Sequence, residues 1–293
     1  MSELASTTGR ATVAARRRKR RGSVGAVARH LVLIAFSALA LFPIYFMVVN
    51  ALKTNDDFAS NATGPPHHVV WSTFRGAVTG SDMGKWLLNS LFITVASVAI
   101  STALAALAAY PLSLMRWRPG RLVTSVLIAL MVIPPIVLII PLFQMAADLG
   151  QLNTYRTVIA IYTGIMLPFS TFLLASFFST IPRPLLEAAR MDGAKTWRTF
   201  TKLVLPLSLP ALATVFIVQA LWVWNEVLIA VVFLQKDSLR TLMVGLTLFK
   251  SRYQIDVPVI MAGMLVATIP VLLFYLAGQR FFIRGLTAGG TKG

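Results

Sequence analysis

The chain of 293 residues is 57% hydrophobic and only 13% charged, has a formal net charge of +17, and contains no cysteine. Soluble domains run at about 45–50% apolar and about 25% charged residues, so this composition cannot keep an ordinary surface wet and points to lipid as the main solvent. The missing thiols exclude disulfides, thiolate metal sites and cysteine nucleophiles. With three histidines and ten Asp and Glu, metal binding and acid–base catalysis have few candidates, and no cofactor is expected.

Residues 1–29 form a basic tail, with Arg16, Arg17, Arg18, Lys19, Arg20 and Arg21 in one run. A basic arm on a soluble domain would point to nucleic acid. No soluble domain follows, so nucleic-acid binding is set aside. Six apolar stretches come next, at 31–52, 86–110, 122–143, 158–178, 211–234 and 259–278. Each is about 20 residues or more, enough at 1.5 Å per residue to cross a hydrocarbon core of about 30 Å. Only a helix satisfies its own backbone inside such a segment. The expectation is an all-α integral membrane protein with six transmembrane helices. A cleaved signal peptide is the rival for the first stretch, with Ala38-Leu39-Ala40 as its site. The apolar run continues to Val49, too long for a signal core, and favours an uncleaved anchor.

Orientation follows from lysine and arginine. With the N-terminus inside, nineteen of these residues fall on the cytoplasmic side and eight outside, as the positive-inside rule requires. Both termini are therefore expected in the cytoplasm. Prolines lie in or beside the spans at Pro43, Pro134, Pro135, Pro141, Pro168 and Pro270. The adjacent pair Pro134-Pro135 removes two amide donors at mid-span and predicts a local break. The outer loop after the first span is polar and punctuated by Gly64-Pro65-Pro66, and Asn61-Ala62-Thr63 spells a glycosylation sequon.

Residues 182–206 break the pattern. Connectors between bundle helices need about 2–8 residues, and this one has about 25. Pro184 suits a helix start and Glu187 its first turn, where the macrodipole favours an anion. Asp192-Gly193 reads as a turn in which glycine takes a left-handed conformation. A second short helix would follow, with Trp197, Phe200 and Val204 on one face and Lys195, Arg198 and Lys202 on another. Two uses fit: helices lying on lipid headgroups, or docking of a small flat helix into a protein groove.

The segment resembles the EAA loop of the membrane subunits of binding-protein-dependent ABC importers. That family writes Glu-Ala-Ala, three residues, Gly, nine residues, then Ile-x-Leu-Pro. Here stand Glu187-Ala188-Ala189, three residues, Gly193, nine residues, then Leu203-Val204-Leu205-Pro206, with Leu203 for Ile the one departure. Trp224-Asn225-Glu226 and the ending from Gln279 to Gly293 resemble the carbohydrate branch, in particular the maltose-type second permease subunit. Gly290-Thr291 departs from its usual ending.

The resemblance implies a type I importer permease in a bacterial inner membrane. It implies a coupling helix at Glu187, Ala188, Ala189, Asp192 and Gly193 that docks on a cytoplasmic ABC ATPase dimer. A second six-helix permease subunit, an external solute-binding protein and a carbohydrate substrate are the other implied partners. The implied organisation is a tail at 1–29, the first helix and external loop at 30–85, the permease core at 86–280 with the coupling loop at 182–206, and a cytoplasmic tail at 281–293.

Gly193-Ala194-Lys195-Thr196 is no phosphate loop, because Ala precedes the lysine and no second glycine stands at the required distance. Any ATPase must be a separate subunit, and the chain itself is not expected to be an enzyme. Glu226 is the acidic residue clearly inside a span, where charges usually face protein or water. It reads as a sugar or gate contact, a structural bond to a partner, or a proton carrier, and Asn225 can share the first two roles. Trp222 and Trp224 read first as interfacial belt residues. Leu239, Leu242, Met243, Leu246 and Phe249 read as an interfacial helix, which by the resemblance faces the external binding protein. Alternatives to a sugar importer are an importer of the same build for phosphate, amino acids or peptides, and a proton-coupled secondary transporter.

Overall fold

The computed structural model describes residues 29–79, 82–115, 119–252 and 256–289. The basic run at 16–21 and the divergent Gly290-Thr291 lie outside the described residues. Among those residues all regular structure is helical, as expected.

Four helices among the described residues are long and apolar enough to cross a membrane singly: α1 (Arg29–Ala51), α4 (Met83–Leu114), α7 (Tyr155–Phe178) and the last helix over its stretch Val257–Leu276. Two bent pairs bring the count to six if each is one span. The most apolar stretch of α1 is exposed on every face, so its surroundings are lipid or another chain. After α1 come the short helices α2 (Asn55–Ser60) and α3 (Ser72–Thr79). The loop between them is clamped to the end of α1. Asn50 Nδ2 donates to the Ala62 carbonyl at 3.0 Å, Tyr45 Oη to that of Thr63 at 3.2 Å, and the buried Lys53 ammonium to that of Asn61. The Asn61 side chain donates to Pro65 O and accepts from Gly64 N, so the sequon amide is consumed by its own turn.

The centre of the fold is α4 against α7. Ser90, Thr94, Ser97, Ser101, Ala105 and Ala109 are all buried along α4. Small side chains let two backbones approach closely where lipid supplies no hydrophobic drive. The pair α5 (Gly120–Met131) and α6 (Pro135–Asp148) turns through 95°. Pro134 is extended and Pro135 lies at the start of α6, so the break falls at the expected double proline. The third span at 122–143 is therefore a bent pair, broken where the sequence predicts. A proline cannot donate to the preceding turn, and two in succession open the ladder.

The fifth span departs from expectation. A short helix α8 (Arg183–Met191) precedes α9 (Thr196–Leu207), which bends by 72° into α10 (Leu209–Asn225). The bend sits at Ser208 between Pro206 and Pro210. Just before it, residues Phe200–Val204 form a π-turn, with Leu205 N–H bonded to Phe200 O. Proline has no N–H to continue the regular ladder, and the wider turn absorbs the mismatch. A helix continuous over 211–234 is not formed: α10 stops at Asn225 and α11 runs Leu228–Phe233. A 3₁₀ turn (Asp237–Leu239), α12 (Leu242–Arg252) and α13 (Val257–Gly289) follow among the described residues.

The expected interfacial helix at 239–249 is not free on a surface. It begins at Leu242, and Leu242 and Leu246 are buried in one cluster with Met83, Trp86, Trp224 and Ala262. A Cβ on Gly245 would lie 2.1 Å from the Trp86 ring, so only glycine lets α12 come this close to α4. Trp224, expected in an interfacial belt, is 2% exposed and packs edge-on against Phe274 at 6.1 Å. Trp222 is half-buried and meets Tyr162 edge-on at 5.8 Å.

Candidate functional site: a surface loop and a broken helix

The segment 182–206 is built around one anchor. Leu186 is the buried residue of α8 and joins a cluster with Phe178, Ile181, Phe200 and Val204. Burying such a side chain stabilises by about 1.5–3 kcal/mol, enough to hold a short helix against the ends of α7 and α9. Tyr110 of α4 closes the cluster edge-on to Phe200 at 5.2 Å. Everything on the other side of α8 is open: Glu187, Ala188, Asp192 and Gly193 are exposed and Ala189 is half-buried. Leu185, Met191 and Trp197 are exposed beside them, Met191 at 88%. An apolar face of this kind at a helix end marks an interaction surface rather than a random leucine.

The spacing from Ala189 to Gly193 has a geometric cause. Ala194 N–H bonds to Ala189 O at 2.9 Å and Gly193 N–H to Arg190 O at 3.0 Å. Those two bonds form a Schellman stop, which needs a left-handed residue one position beyond the C-cap. Gly193 supplies it with φ +75°. The phosphate-loop comparison fails here for the same reason, since this glycine closes a helix.

Three details of this loop differ from the sequence reading. The helix starts at Arg183, so Pro184 is its second residue, and Glu187 lies beyond the first turn; the dipole argument for Glu187 does not hold. The second short helix is not separate but runs through the π-turn into the bend at Ser208. Phe200 and Val204 are buried, whereas Trp197, placed on their face by spacing, is 66% exposed. The Trp197 ring still lies against Phe200, with centroids 5.6 Å apart, at the open edge of that cluster.

Asn225 and Glu226 sit together at the break between α10 and α11, and they face different ways. The Glu226 carboxylate accepts Ile229 N–H at 2.9 Å and Ala230 N–H at 3.2 Å. It also accepts the hydroxyl of Tyr162 at 2.6 Å, a residue of α7 that is 1% exposed. The first N–H groups of a helix have no partner within it, and a carboxylate is the strongest acceptor available for them. Glu226 therefore caps α11, and the bonds it makes are within this chain. Asn225 is exposed, with its Nδ2 tied back to Leu221 O at 2.7 Å. It lines a cavity of about 590 Å³ together with Met47 of α1, Met243 and Thr247 of α12, and Met264 and Thr268 of α13. A second cavity of about 600 Å³ lies at the α5–α6 bend, walled by Ile133, Pro135 and Leu138 and by Ile161, Ile165 and Phe169 of α7. Among the described residues no set of His, Asp or Glu is arranged to hold a metal.

Residues 101–282 match the family model described as "Binding-protein-dependent transport system inner membrane component". The chain belongs to this family. It is thus a permease, a multi-pass inner-membrane component of a transport system. The melibiose/raffinose/stachyose import permease protein MelC of Bacillus subtilis (strain 168) is 34% identical over 263 residues, 89% of this chain and 95% of its own. The diacetylchitobiose uptake system permease protein NgcG of Streptomyces coelicolor is 32% identical, over 89% of this chain and 87% of its own. Among solved structures, a chain of a bacterial ABC transporter that imports the acidic polysaccharide alginate superposes with a TM-score of 0.78. That match covers 88% of this permease and 96% of the other chain at 24% identity, and it shows the fold of an ABC importer permease.

The sequence reading singles out neither Tyr162 nor the cavity wall at Met47, Thr247 and Thr268, and it marks Met243 only as part of an interfacial helix. One signal for Tyr162 was present: a tyrosine deep in an apolar helix needs a partner for its hydroxyl. Nothing in the spacing names Glu226, 64 positions away, as that partner.

Proposed function

We propose that this permease subunit carries a sugar or oligosaccharide across the inner membrane, driven by a separate cytoplasmic ABC ATPase dimer that docks on α8. Both termini then lie in the cytoplasm, as the distribution of Lys and Arg requires. An external solute-binding protein delivers the solute, and the pathway runs between this chain and a second permease subunit. The names of the relatives MelC and NgcG, both permeases for saccharides, support the solute class.

The observation that carries the coupling role is the mechanical continuity of the loop. Glu187, Ala188, Asp192 and Gly193 form an open patch with the half-buried Ala189 at its edge, and the helix beneath them is keyed by Leu186 against α7 and α9. From α9 a single bend at Ser208 leads into α10, which ends at Asn225 on the cavity. A shift of α8 by a docked ATPase is passed as a rigid-body displacement to a helix that reaches the pathway. The coupling free energy is the difference in contacts that the ATPase makes on this patch in its two states.

At the other end of α10, Asn225 contacts the solute hydroxyls, with one acceptor and a second amide hydrogen to offer. The methionine-rich wall around it offers passage without tight binding. Glu226 serves the same pathway from behind, by holding the helix end in place. A proton-coupled mechanism finds no support, since the acidic residue of this span is engaged by fixed donors of its own chain.

The deciding experiment is gentle-detergent purification of the tagged chain from its native membrane, followed by mass spectrometry. Recovery of an ATPase and a second permease is expected, with the ATPase lost when Glu187 and Gly193 are substituted together. Recovery of the chain alone would overturn the reading.

A further inference from the structure

A helix broken inside an apolar layer is unstable unless something satisfies the freed backbone groups. Residues 209–233 are apolar on both sides of Glu226 and contain no proline or glycine after Pro210. Asn225 is a weak helix former, but neither proline nor glycine stops α10 there. A continuous helix through 226 and 227 would pair every N–H internally. At the break the Glu226 carboxylate holds the N–H groups of Ile229 and Ala230. That carboxylate is held in turn by Tyr162 Oη at 2.6 Å. Tyr162 is locked by burial at 1% exposure and by its edge-on contact with Trp222.

The break has a consequence for Asn225. In an uninterrupted helix the residues at i+3 and i+4 lie over residue i, their side chains leaning back toward the N-terminus. For Asn225 these are Leu228 and Ile229, both bulky and apolar. Healing the helix would lay them across the asparagine and shut it off from the cavity. The observed chain instead turns away at Glu226, which is extended at φ −73° and ψ 129°. Asn225 and Val227 are left on the cavity wall.

We propose that Glu226 and Tyr162 are positioning residues for transport: their hydrogen bond keeps the helix broken at 226–227 and so holds Asn225 open to the cavity. This rests on reading Asn225 as a pathway residue. The pair acts through geometry alone and touches no solute.

The test uses the absence of cysteine from the chain. Asn225→Cys and, separately, Thr268→Cys on the opposite wall are introduced into the full-length permease in its native assembly. Labelling by a small water-soluble maleimide is timed in intact membranes for each. Adding Glu226→Leu is expected to slow labelling of the cysteine at 225 by about tenfold and to leave that at 268 unchanged, since charged hydrogen bonds to a cap are the stronger kind. Tyr162→Phe, which keeps the shape and removes one bond, should slow it by about threefold. Glu226→Gln, which keeps one carbonyl acceptor, should restore part of the rate.

If both cysteines label and neither Glu226→Leu nor Tyr162→Phe alters their ratio, the proposal is overturned and the cavity reading stands. If neither cysteine labels in the otherwise unaltered chain, the cavity reading fails and the proposal with it. Equal slowing at 225 and 268 would show general loosening and also overturn it. Should Glu226→Leu fail to reach the membrane, Tyr162→Phe decides alone.

Discussion

Two helix ends govern what this permease can do, and they are stabilised in opposite ways. At Gly193 the chain leaves α8 at an exposed surface, and the stop is made by backbone bonds reaching no further than five residues. At Glu226 the chain leaves α10 in a half-buried setting, and the stop depends on a tyrosine of another helix. The first end is a rigid, local feature suited to a docking surface that must keep its shape when a partner presses on it. The second is a tertiary feature that exists only when α7 and α10 are packed together. A local stop resists substitution of its neighbours and fails when its glycine is changed. A tertiary stop tolerates much nearby and fails when either distant partner is lost.

The contrast is broken most severely at Gly193. A β-branched residue at φ +75° is strained by about 1–3 kcal/mol, although a Cβ there would meet open space. Gly193→Val should therefore disrupt the Schellman stop and reduce sugar uptake by at least about tenfold, with normal insertion, because that strain lies on the docking patch. Gly193→Asn, which tolerates the left-handed region, should retain much of the uptake. Uptake in cells, beside immunoblots of the membrane fraction, separates these outcomes. Normal transport by the valine variant would remove the loop from the mechanism.

The next effect is smaller in stability and sharper in meaning. The Glu187 side chain is exposed, so Glu187→Ala should change stability by no more than about 0.5 kcal/mol. Its effect should appear wholly in recovery of the ATPase and in solute-stimulated ATP hydrolysis. A thermal-shift measurement beside the ATPase assay tests that division. A large loss of stability with normal coupling would make Glu187 structural.

These two ends also explain what could be read from the chain. Apolar length gives the spans, and the double proline gives the break between α5 and α6, because both signals are local. The Glu187 to Gly193 motif was legible for the same reason, its spacing being the spacing of a helix stop. The break at Glu226 was hidden inside an apolar stretch at 211–234 that reads as one helix, since its cause is a side chain of α7. The burial of Trp224 and of Leu242 and Leu246 was hidden likewise. Aromatic and leucine positions look alike whether they face a headgroup layer or the underside of α4, until Gly245 is seen to lie beneath Trp86.

That close approach gives a third measurement. A Cβ at 245 would overlap three atoms of the Trp86 ring at 2.1–2.5 Å. Overpacking of this kind costs about 1–3 kcal/mol. Gly245→Ala should lower the melting temperature of the purified permease, and Gly245→Ala with Trp86→Leu should recover part of the loss. If the double variant is less stable than the sum of the two single changes, α12 does not pack against α4 as described.

The smallest effect is expected in the loop between α2 and α3, which is also held by a side chain. The Asp57 carboxylate accepts the His67 backbone N–H at 3.0 Å and faces His67 Nδ1 at 2.5 Å. The hydrogen bond from the His67 side chain, ahead of the other contacts, holds the Asp57 carboxyl below its ordinary value of 3.8. A depressed carboxyl pKa contributes stability that is fully present above the ordinary value. It is lost as pH falls through the lower folded value. The loop should therefore keep its resistance to proteolysis down to about pH 4 and lose it below. In His67→Ala that contribution is absent, so resistance above about pH 4 should be lower and should change less as pH falls. Pepsin is active in this range, and cleavage between residues 54 and 71 in sealed vesicles of known orientation reads the transition directly. An unchanged transition in the alanine variant would show that Asp57 is held by something other than His67. This loop would then resemble the end at Gly193, fixed by its own backbone, rather than the end at Glu226.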